Sequence, residues 1–508
     1  MTKVKSIIKS RFFIYILLFL FSIFLASCCK DYDYDLYARF IIAENLFEKG
    51  VFNYNDFLSY TPTHTWYDHE YGAGCIYYLF FKYLGPFGLV LIQGLLLFFT
   101  SVFVIKIQQL QKHAYPISLL FMSIFLILFA HQNPSLVRCH MFSFLFFTIF
   151  LYFLEKTRIG YLTNKPTKVL WLVLPLVVIW NNFHGGVVSG LGIIFVYMIT
   201  GLVTGQNWKL YFKVLILSVP LLAINPYGPE YINFLISANT KTRTMITEWW
   251  NVFVPGHILY YYPLFFAGLF GVLLTLAKIW NKQKVNITKV LLIIITLFLG
   301  TVHVKLLSFP LIVLGALYYN DIMRFFNAKF IRIAEKFTYL IVICSICCIP
   351  LKHPNVQRTA INKFPVKEVE FIKTNHIKGN ILTEFGYGSY VSYKLYPDNL
   401  IYMDGRYEVV YYDEEFDHLM NFEKKENDWQ YVLKAYPTDV LLLDKTIPVY
   451  ETLKKLPDWV NVYEGPMCGI FVKKAKAKKH YKMPSDDIEY YRKNEFVNKG
   501  YFRKKDGK

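Results

Sequence analysis

The residues with chemical potential fall into short clusters set between long apolar runs. The first clusters are Asp31-Tyr-Asp33-Tyr-Asp35, Asp56-Phe-Leu-Ser59-Tyr60-Thr61 and Trp66-Tyr-Asp68-His69-Glu70. Later come Arg138-Cys-His140, Asn181-Asn182-Phe-His184-Gly-Gly186, Asn225-Pro-Tyr-Gly228, Glu248-Trp249-Trp250 and His303-Val-Lys305. A carboxylate beside water can act as general base toward a hydroxyl. Arg, Lys and His can hold a phosphate and neutralise the charge that grows on it as it leaves. Asn and Trp hydrogen-bond to sugars and stack on them. Each such residue also has a blander reading as a structural group that has found its partner. An ionisable group at the centre of a membrane helix costs about 2.5–3.5 kcal/mol on insertion scales. It persists when it pairs, reaches water or serves a site. A whole set converging on one face points to a site.

The elements that must position this set are apolar. Of 508 residues 55% are hydrophobic, and the mean hydropathy is +0.32. A soluble chain of that composition could not cover its own surface. The apolar runs recur from Phe12 to Leu351 and then stop. A helix needs about 20 apolar residues to cross a bilayer core. Spans are expected near 11–29, 86–106, 115–131, 140–155, 168–181, 187–204, 212–225, 258–280, 288–302, 304–320 and 337–351, about eleven in all. Several are short, and the pair of spans around Asn181–Gly186 leaves room for a broken or re-entrant segment. The N-terminal run ends Leu25-Ala26-Ser27-Cys28, like a lipoprotein processing box after a signal peptide. A retained first helix is the reading taken, since the loop that follows carries site residues and needs an anchor.

Loop charge gives the orientation. One alternating set of connections holds Lys106 and Lys112, then Lys156, Arg158, Lys165 and Lys168, then Lys209 and Lys213. It continues with Lys278, Lys282, Lys284 and Lys289, then Arg324, Lys329, Arg332 and Lys336. The N-terminus, with Lys3, Lys5, Lys9 and Arg11, belongs to the same set. The other set is poorer in Lys and Arg although it contains the longest loops. The positive-inside rule then places the N-terminus in the cytoplasm and, for an odd number of spans, the C-terminal domain outside. Nearly all the polar clusters fall in the outer set. A lipid-phosphate-linked sugar presents its headgroup at that depth, so the constellation suits glycosyl transfer from a lipid carrier to an external acceptor.

The net charge of +19 would suggest nucleic acid on a soluble chain. Here the basic residues lie between apolar runs and in the tail. Topology signalling and contact with anionic headgroups explain them, and no nucleic-acid partner is expected. Attraction of an anionic lipid-linked substrate is compatible with both. Cys344-Ser-Ile-Cys347 has a metal-knuckle spacing but sits among Ile and Leu with no second pair. It is read as packing, and neither structural zinc nor a disulfide framework is expected. Residues 36–49 have the spacing of an amphipathic helix lying in the interface.

From Phe364 the pattern changes to that of an aqueous domain. Helical stretches alternate with strand-like runs at 380–384, 400–403, 439–443, 460–464 and 468–473, which predicts a small α/β domain over 352–473. Gly386-Tyr-Gly388 lacks the rest of a dinucleotide fingerprint and reads as a tight strand-to-helix turn. Asp404-Gly405-Arg406 lies at a strand end, so Asp404 and Arg406 are ligand candidates and equally a turn with a local ion pair. Residues 474–508 are basic with little apolar pattern and read as a disordered tail.

Taken in order, these motifs resemble the GT-C superfamily of membrane glycosyltransferases. The matching segments are Asp33-Tyr-Asp35-Leu, Asp56-Phe-Leu-Ser59-Tyr-Thr, Trp66-Tyr-Asp68-His69-Glu70, Phe142-Ser-Phe144, Trp180-Asn-Asn182-Phe-His184-Gly-Gly, Asn225-Pro-Tyr-Gly228, Glu248-Trp249, Gly386-Tyr-Gly388-Ser-Tyr390 and Met403-Asp404-Gly405-Arg406. They cover residues 10–473 and look most like an uncharacterised bacterial group related to protein O-mannosyltransferases and enzymes using polyprenyl-phosphate sugars. The resemblance implies a polytopic helical membrane domain, residues 1–351 with a long external loop 30–85. It also implies inverting transfer of a hexosyl or pentosyl group at a bacterial plasma membrane. Partners would be membrane lipids, a polyprenyl-phosphate-linked sugar and a glycan, lipid or protein acceptor. The matching base position is Asp35, with Asp33 second. Many GT-C enzymes have Asp-Glu where this chain has Asp35-Leu36. That departure leaves the base and any divalent-metal role open, and Glu70 is the carboxylate that can substitute. His69, Arg138, His140, Asn182, His184, Glu248, Trp249, His303 and Lys305 are candidates for binding the donor or its phosphate. Two other functions remain open on the residues: a glycolipid transporter or flippase, and a non-catalytic relative that assembles envelope components.

Overall fold

In a computed structural model, which describes residues 11–28, 33–111, 114–132, 137–241, 243, 246–256, 258–348, 363–487 and 490–491, a helix covers the body of each of the eleven apolar runs. Helices are the natural outcome, because an apolar segment without water must satisfy its own backbone. Among the described residues four of them are long and apolar enough to cross a membrane: Arg11–Cys28, Tyr71–Leu110, Val187–Thr204 and the Tyr260–Trp280 part of Ile258–Trp280. Others are shorter, among them Leu119–Gln132, Val173–Phe183, Ile287–Val302 and Ser308–Leu317. The helix Tyr71–Leu110 is two helices merged across Gly85, whose φ of 62° only glycine adopts readily.

The chain divides into two compact units. The first comprises residues 1–29 and 90–353, and the regular elements of its described part are helices. Arg11–Cys28 packs with Leu119–Gln132 and Ala328–Cys347. His140–Leu162 packs with Val173–Phe183 and Val187–Thr204, and Ile258–Trp280 with Ile287–Val302 and Ser308–Leu317. Small residues permit the close approaches: a methyl group on Gly190 would lie 2.6 Å from the Trp180 ring, and one on Gly271 2.9 Å from Ile293. Phe266, Leu273, Phe298, Phe337, Leu340 and Ile341 are exposed, the reverse of an aqueous surface. At the basic connections the carboxylates are answered. Glu155 receives both Arg158 Nε at 3.0 Å and Nη2 at 2.8 Å, and the Tyr197 hydroxyl at 2.5 Å. Asp321 pairs with Lys278 and Lys289.

The second unit comprises residues 30–89 together with 354–508. Sequence reading assigned the long first loop to the membrane domain, whereas the structure groups it with the C-terminal segment. Aromatic packing is the physical reason. The helix Leu36–Lys49 packs on Gly388–Leu395, and Tyr37 lies against Phe364, Tyr390 and Tyr393 at centroid distances of 5.2, 5.0 and 5.6 Å. Leu36 to Asn45 are buried without interruption, so this helix is a core element and not one lying half in water. Gly50, in the left-handed region at φ 66°, caps it.

The sheet has four strands, β1 (Ile381–Thr383), β2 (Val440–Asp444), β3 (Trp459–Glu464) and β4 (Cys468–Lys473), in the order β1-β2-β4-β3. β1 and β2 are parallel, the other pairs antiparallel. The apolar run at 400–403 is not a fifth strand. Ile401 makes single bridges to Ile381 on one side and Ser59 on the other. The first loop occupies that edge, with Tyr60 N donating to Ile401 O at 3.0 Å and Ile401 N to Leu58 O at 2.9 Å. Of the basic segment 474–508 expected to lack structure, residues 474–487 are described; they continue from β4 and are held by hydrogen bonds between Asn375 and Lys482, 2.8 Å in each direction, while residues 492–508 lie outside the described residues.

Candidate functional site

In the helical unit, most of the polar residues singled out from the sequence come together. Cys139, at the N-terminal end of helix His140–Leu162, is flanked by Arg138 and His140. A short 3-10 turn, Thr247–Trp249, carries Glu248 and Trp249, and another, Val304–Leu306, carries Lys305 just after His303. The two turns are stitched by their backbones: Val304 N donates to Trp250 O at 3.1 Å and Val252 N to Thr301 O at 2.9 Å. His303 Nδ1 lies 2.7 Å from Trp249 O. Arg138 pairs with Glu248, and His140 sits among the charges of Arg138, Glu248, His184 and Lys305.

Glu248 is half-buried. Burial alone pushes its carboxyl up, but Arg138 and Lys305 outweigh it and hold the group down at about 2. Glu248 is therefore a fixed negative charge at neutral pH, suited to orienting Arg138 and unsuited to donating a proton. Lys305 Nζ lies 3.4 Å from the Trp249 ring centroid, and the guanidinium carbon of Arg243 lies 4.1 Å from it. Arg243 is buried and anchored by its own turn, Nη2 to Ala238 O at 2.7 Å and Nη1 to Lys241 O at 3.3 Å. Sequence reading missed Arg243, because nothing local distinguishes it from Lys241. Its only signal was a cation six residues before the Trp249 motif. Arg138, Arg243 and Lys305 against Glu248 leave this face with a surplus of positive charge, which suits an anionic ligand.

His184 is set by its neighbours. Gly186 N donates to Nδ1 at 2.8 Å, which leaves the neutral ring's proton on Nε2. Ser143 Oγ lies 2.8 Å from the same nitrogen and accepts the Trp180 indole N–H at 2.8 Å. Asn182 does something else. Its amide donates to Val178 O at 2.7 Å and Ile224 O at 2.8 Å, tying the helix Val173–Phe183 to the turn before Asn225.

The second unit holds the other candidates. Arg39 bridges two carboxylates, Asp68 at 2.6 Å and Glu70 at 2.5 Å. Glu70, the alternative base, is thus engaged by a cation, and His69 Nε2 lies 3.8 Å from its other oxygen. Asp35 immediately precedes the helix that carries Arg39, and its carbonyl accepts the Arg39 amide at 3.3 Å. Asp33 is half-buried, and its carbonyl accepts the Leu36 amide at 3.3 Å. Asp404 and Arg406 form the turn ion pair that was one of their two readings, Nε to Oδ1 at 2.8 Å, and both are fully buried. Arg406 Nη1 also reaches Asp56 at 2.5 Å, a contact across 350 residues. Burial would lift Asp56 and lower Arg406. Opposite charges override this: Arg406 holds Asp56 below the usual carboxylate range, and Asp404 with Asp56 holds Arg406 well above its ordinary value.

No family model and no curated protein matches this sequence. Solved structures do match. The chain is similar to the oligosaccharyltransferase of Archaeoglobus fulgidus in its apo form, with a TM-score of 0.57 at 9% identity over 86% of this chain and 70% of that one. It is equally similar, at 0.57 and 10% identity over 94% and 76%, to the archaeal oligosaccharyltransferase AglB from the same organism, solved with an inhibitory peptide and a dolichol-phosphate. The shared fold is that of these oligosaccharyltransferases, a GT-C fold. At such identity the likeness is one of fold, so the residues of this chain must carry any statement about chemistry.

Proposed function

We propose that this protein is a membrane glycosyltransferase that moves a sugar from a polyprenyl-phosphate carrier to a glycan, lipid or protein acceptor on the exoplasmic face, in bacterial envelope biogenesis. One observation carries the reading: on a GT-C fold, Arg138, Arg243 and Lys305 gather around Glu248 and Trp249 outside the apolar helices. Phosphate is the ligand that several fixed cations and an aromatic face suit best. Dolichol-phosphate bound to AglB is a lipid phosphate of the same class. His140, His184 and His303 add donors beside it. Asp35 is the proposed general base, with Asp33 second, and inverting transfer of a hexosyl or pentosyl group follows from a single displacement. Eleven spans, a cytoplasmic N-terminus and an exoplasmic C-terminal domain complete the proposal, supported by the charge alternation of the connections.

The test is a deletion strain complemented with the full chain, followed by lipid and glycan profiling. Loss of a surface glycan with accumulation of a polyprenyl-phosphate sugar is expected, and Asp35→Asn should fail to restore the glycan. Full restoration by both Asp35→Asn and Asp33→Asn would sink the proposed base. An unchanged glycan profile in the deletion strain overturns the function. Carrier binding by the wild-type chain without turnover identifies the non-catalytic assembly reading instead.

A further inference from the structure

The two glycine turns of the C-terminal segment have no part in that reading. Gly386-Tyr-Gly388 joins β1 to the helix Gly388–Leu395, and Asp404-Gly405-Arg406 precedes the helix Tyr407–Val410. The two turns meet two adjacent residues of the first loop, one each. A methyl group on Gly386 would lie 3.1 Å from Cε1 of Tyr34, and one on Gly405 would fall on Oδ1 of Asp35. Gly388 leaves room for the Met403 carbonyl and for Asp404, so the turns pack on each other. Neither Gly386 nor Gly405 has a positive φ. Close approach, and not backbone conformation, is what each position demands of its residue.

The Gly405 turn is also rigid. The Arg406 side chain is fully buried, held by both oxygens of Asp404 at 2.8 and 3.0 Å and by Asp56, with its guanidinium carbon 4.6 Å from the Trp66 ring centroid. Asp56 takes the amides of Leu58 and Ser59 at 3.3 and 2.9 Å. Tyr411 donates to Asp404 at 3.3 Å and lies 2.6 Å from Ser59 Oγ. Buried charges of this kind tolerate one arrangement, since displacing a partner strands the others without water.

We propose that the paired glycine turns are a mould that sets the position of the Asp35 carboxylate, with Gly405 as a positioning residue acting through Asp35. The inference rests on Asp35 being the base of the proposed function. A reacting group misplaced by about 1 Å loses ~100-fold in rate. The test uses full-length chains at equal membrane levels in the deletion strain, reading the rate at which the surface glycan returns, with thermal unfolding of each purified chain. Gly405→Ala is expected to slow recovery ~100-fold. The matched control is Gly465→Ala, whose methyl would overlap the Glu368 carboxylate in the same unit. It should recover at the wild-type rate at an unfolding midpoint no higher than that of Gly405→Ala. In an Asp35→Ala background, Gly405→Ala should cost no further stability, because the overlapping carboxylate is gone. Gly386→Ala, which meets only the edge of the Tyr34 ring, should fall between the two and serves if Gly405→Ala does not accumulate. Wild-type recovery by Gly405→Ala, or an equal loss in Gly465→Ala, overturns the mould. Inactive Asp35→Asn beside active Gly405→Ala overturns it alone, whereas active Asp35→Asn removes the assignment of Asp35 as base as well.

Discussion

Single side chains divide the chemistry between charges that are fixed and groups that can move a proton. Glu248, held down at about 2 by Arg138 and Lys305 against the upward push of burial, does not titrate in any physiological range. Glu248→Gln is therefore expected to lower transfer without moving the acid limb of a pH–activity profile; a displaced limb would show that Glu248 itself gains or loses the proton. Lys305→Ala and Arg243→Ala each remove a cation from the Trp249 ring. Charge-assisted contacts contribute about 1.5–3 kcal/mol, so each variant should weaken carrier binding ~10- to 150-fold. Binding of a polyprenyl-phosphate measured by lipid competition checks this, with equal affinity as the contrary result. Trp249, Lys305, Arg138 and the two histidines of the neighbouring motifs were legible in the sequence, because ionisable groups beside apolar runs are conspicuous. Arg243 was not, since its role depends on a ring that the fold brings to it.

Among the elements, the end of β1 and the helix Asp413–Lys424 bring together two carboxyls that titrate near neutral pH. Burial, with Asp444 nearby, lifts Glu384 to about 7, and burial with Glu384 nearby lifts Glu423 to about 8. Unfolded carboxyls titrate near ~4.3. Both groups thus bind protons more tightly in the folded state, so their contribution is fully present below about pH 4 and is lost as pH rises through 7 to 8. Asp56 has the opposite sign: depressed by Arg406, it stabilises above the unfolded carboxylate range and is lost on acidification. The unfolding midpoint should accordingly peak near pH ~4 and decline toward pH ~8. Glu384→Gln should flatten the alkaline decline while leaving the acid side unchanged, which thermal unfolding across pH reads directly. The strands themselves were predicted well where apolar runs are continuous, as in β2 and β4. The run at 400–403 failed because its pairing partner, Leu58–Tyr60, comes from a loop more than 300 residues earlier.

For the molecule as a whole, orientation is the property that charge alone predicts. A fluorescent fusion in the Asn281–Lys284 turn should mature in the cytoplasm, and an alkaline phosphatase joined after Lys473 should be active outside. The reverse pattern would overturn the orientation, and an N- and C-terminus on one side would overturn the odd span count. Amino-acid order by itself determined where the apolar helices lie, which connections carry the positive charge and where the apolar runs stop. These are local properties, set by whether a stretch of residues prefers lipid or water and by the period of its apolar positions. The resemblance of the ordered motifs anticipated the GT-C fold that the archaeal oligosaccharyltransferases share. Only the tertiary structure decided that the first loop belongs with the C-terminal segment, that Arg406 answers Asp56, and that Gly405 gives way to Asp35. Those choices join residues hundreds of positions apart. They follow from which buried charges and rings can satisfy one another once water is excluded, and no local pattern of residues encodes that.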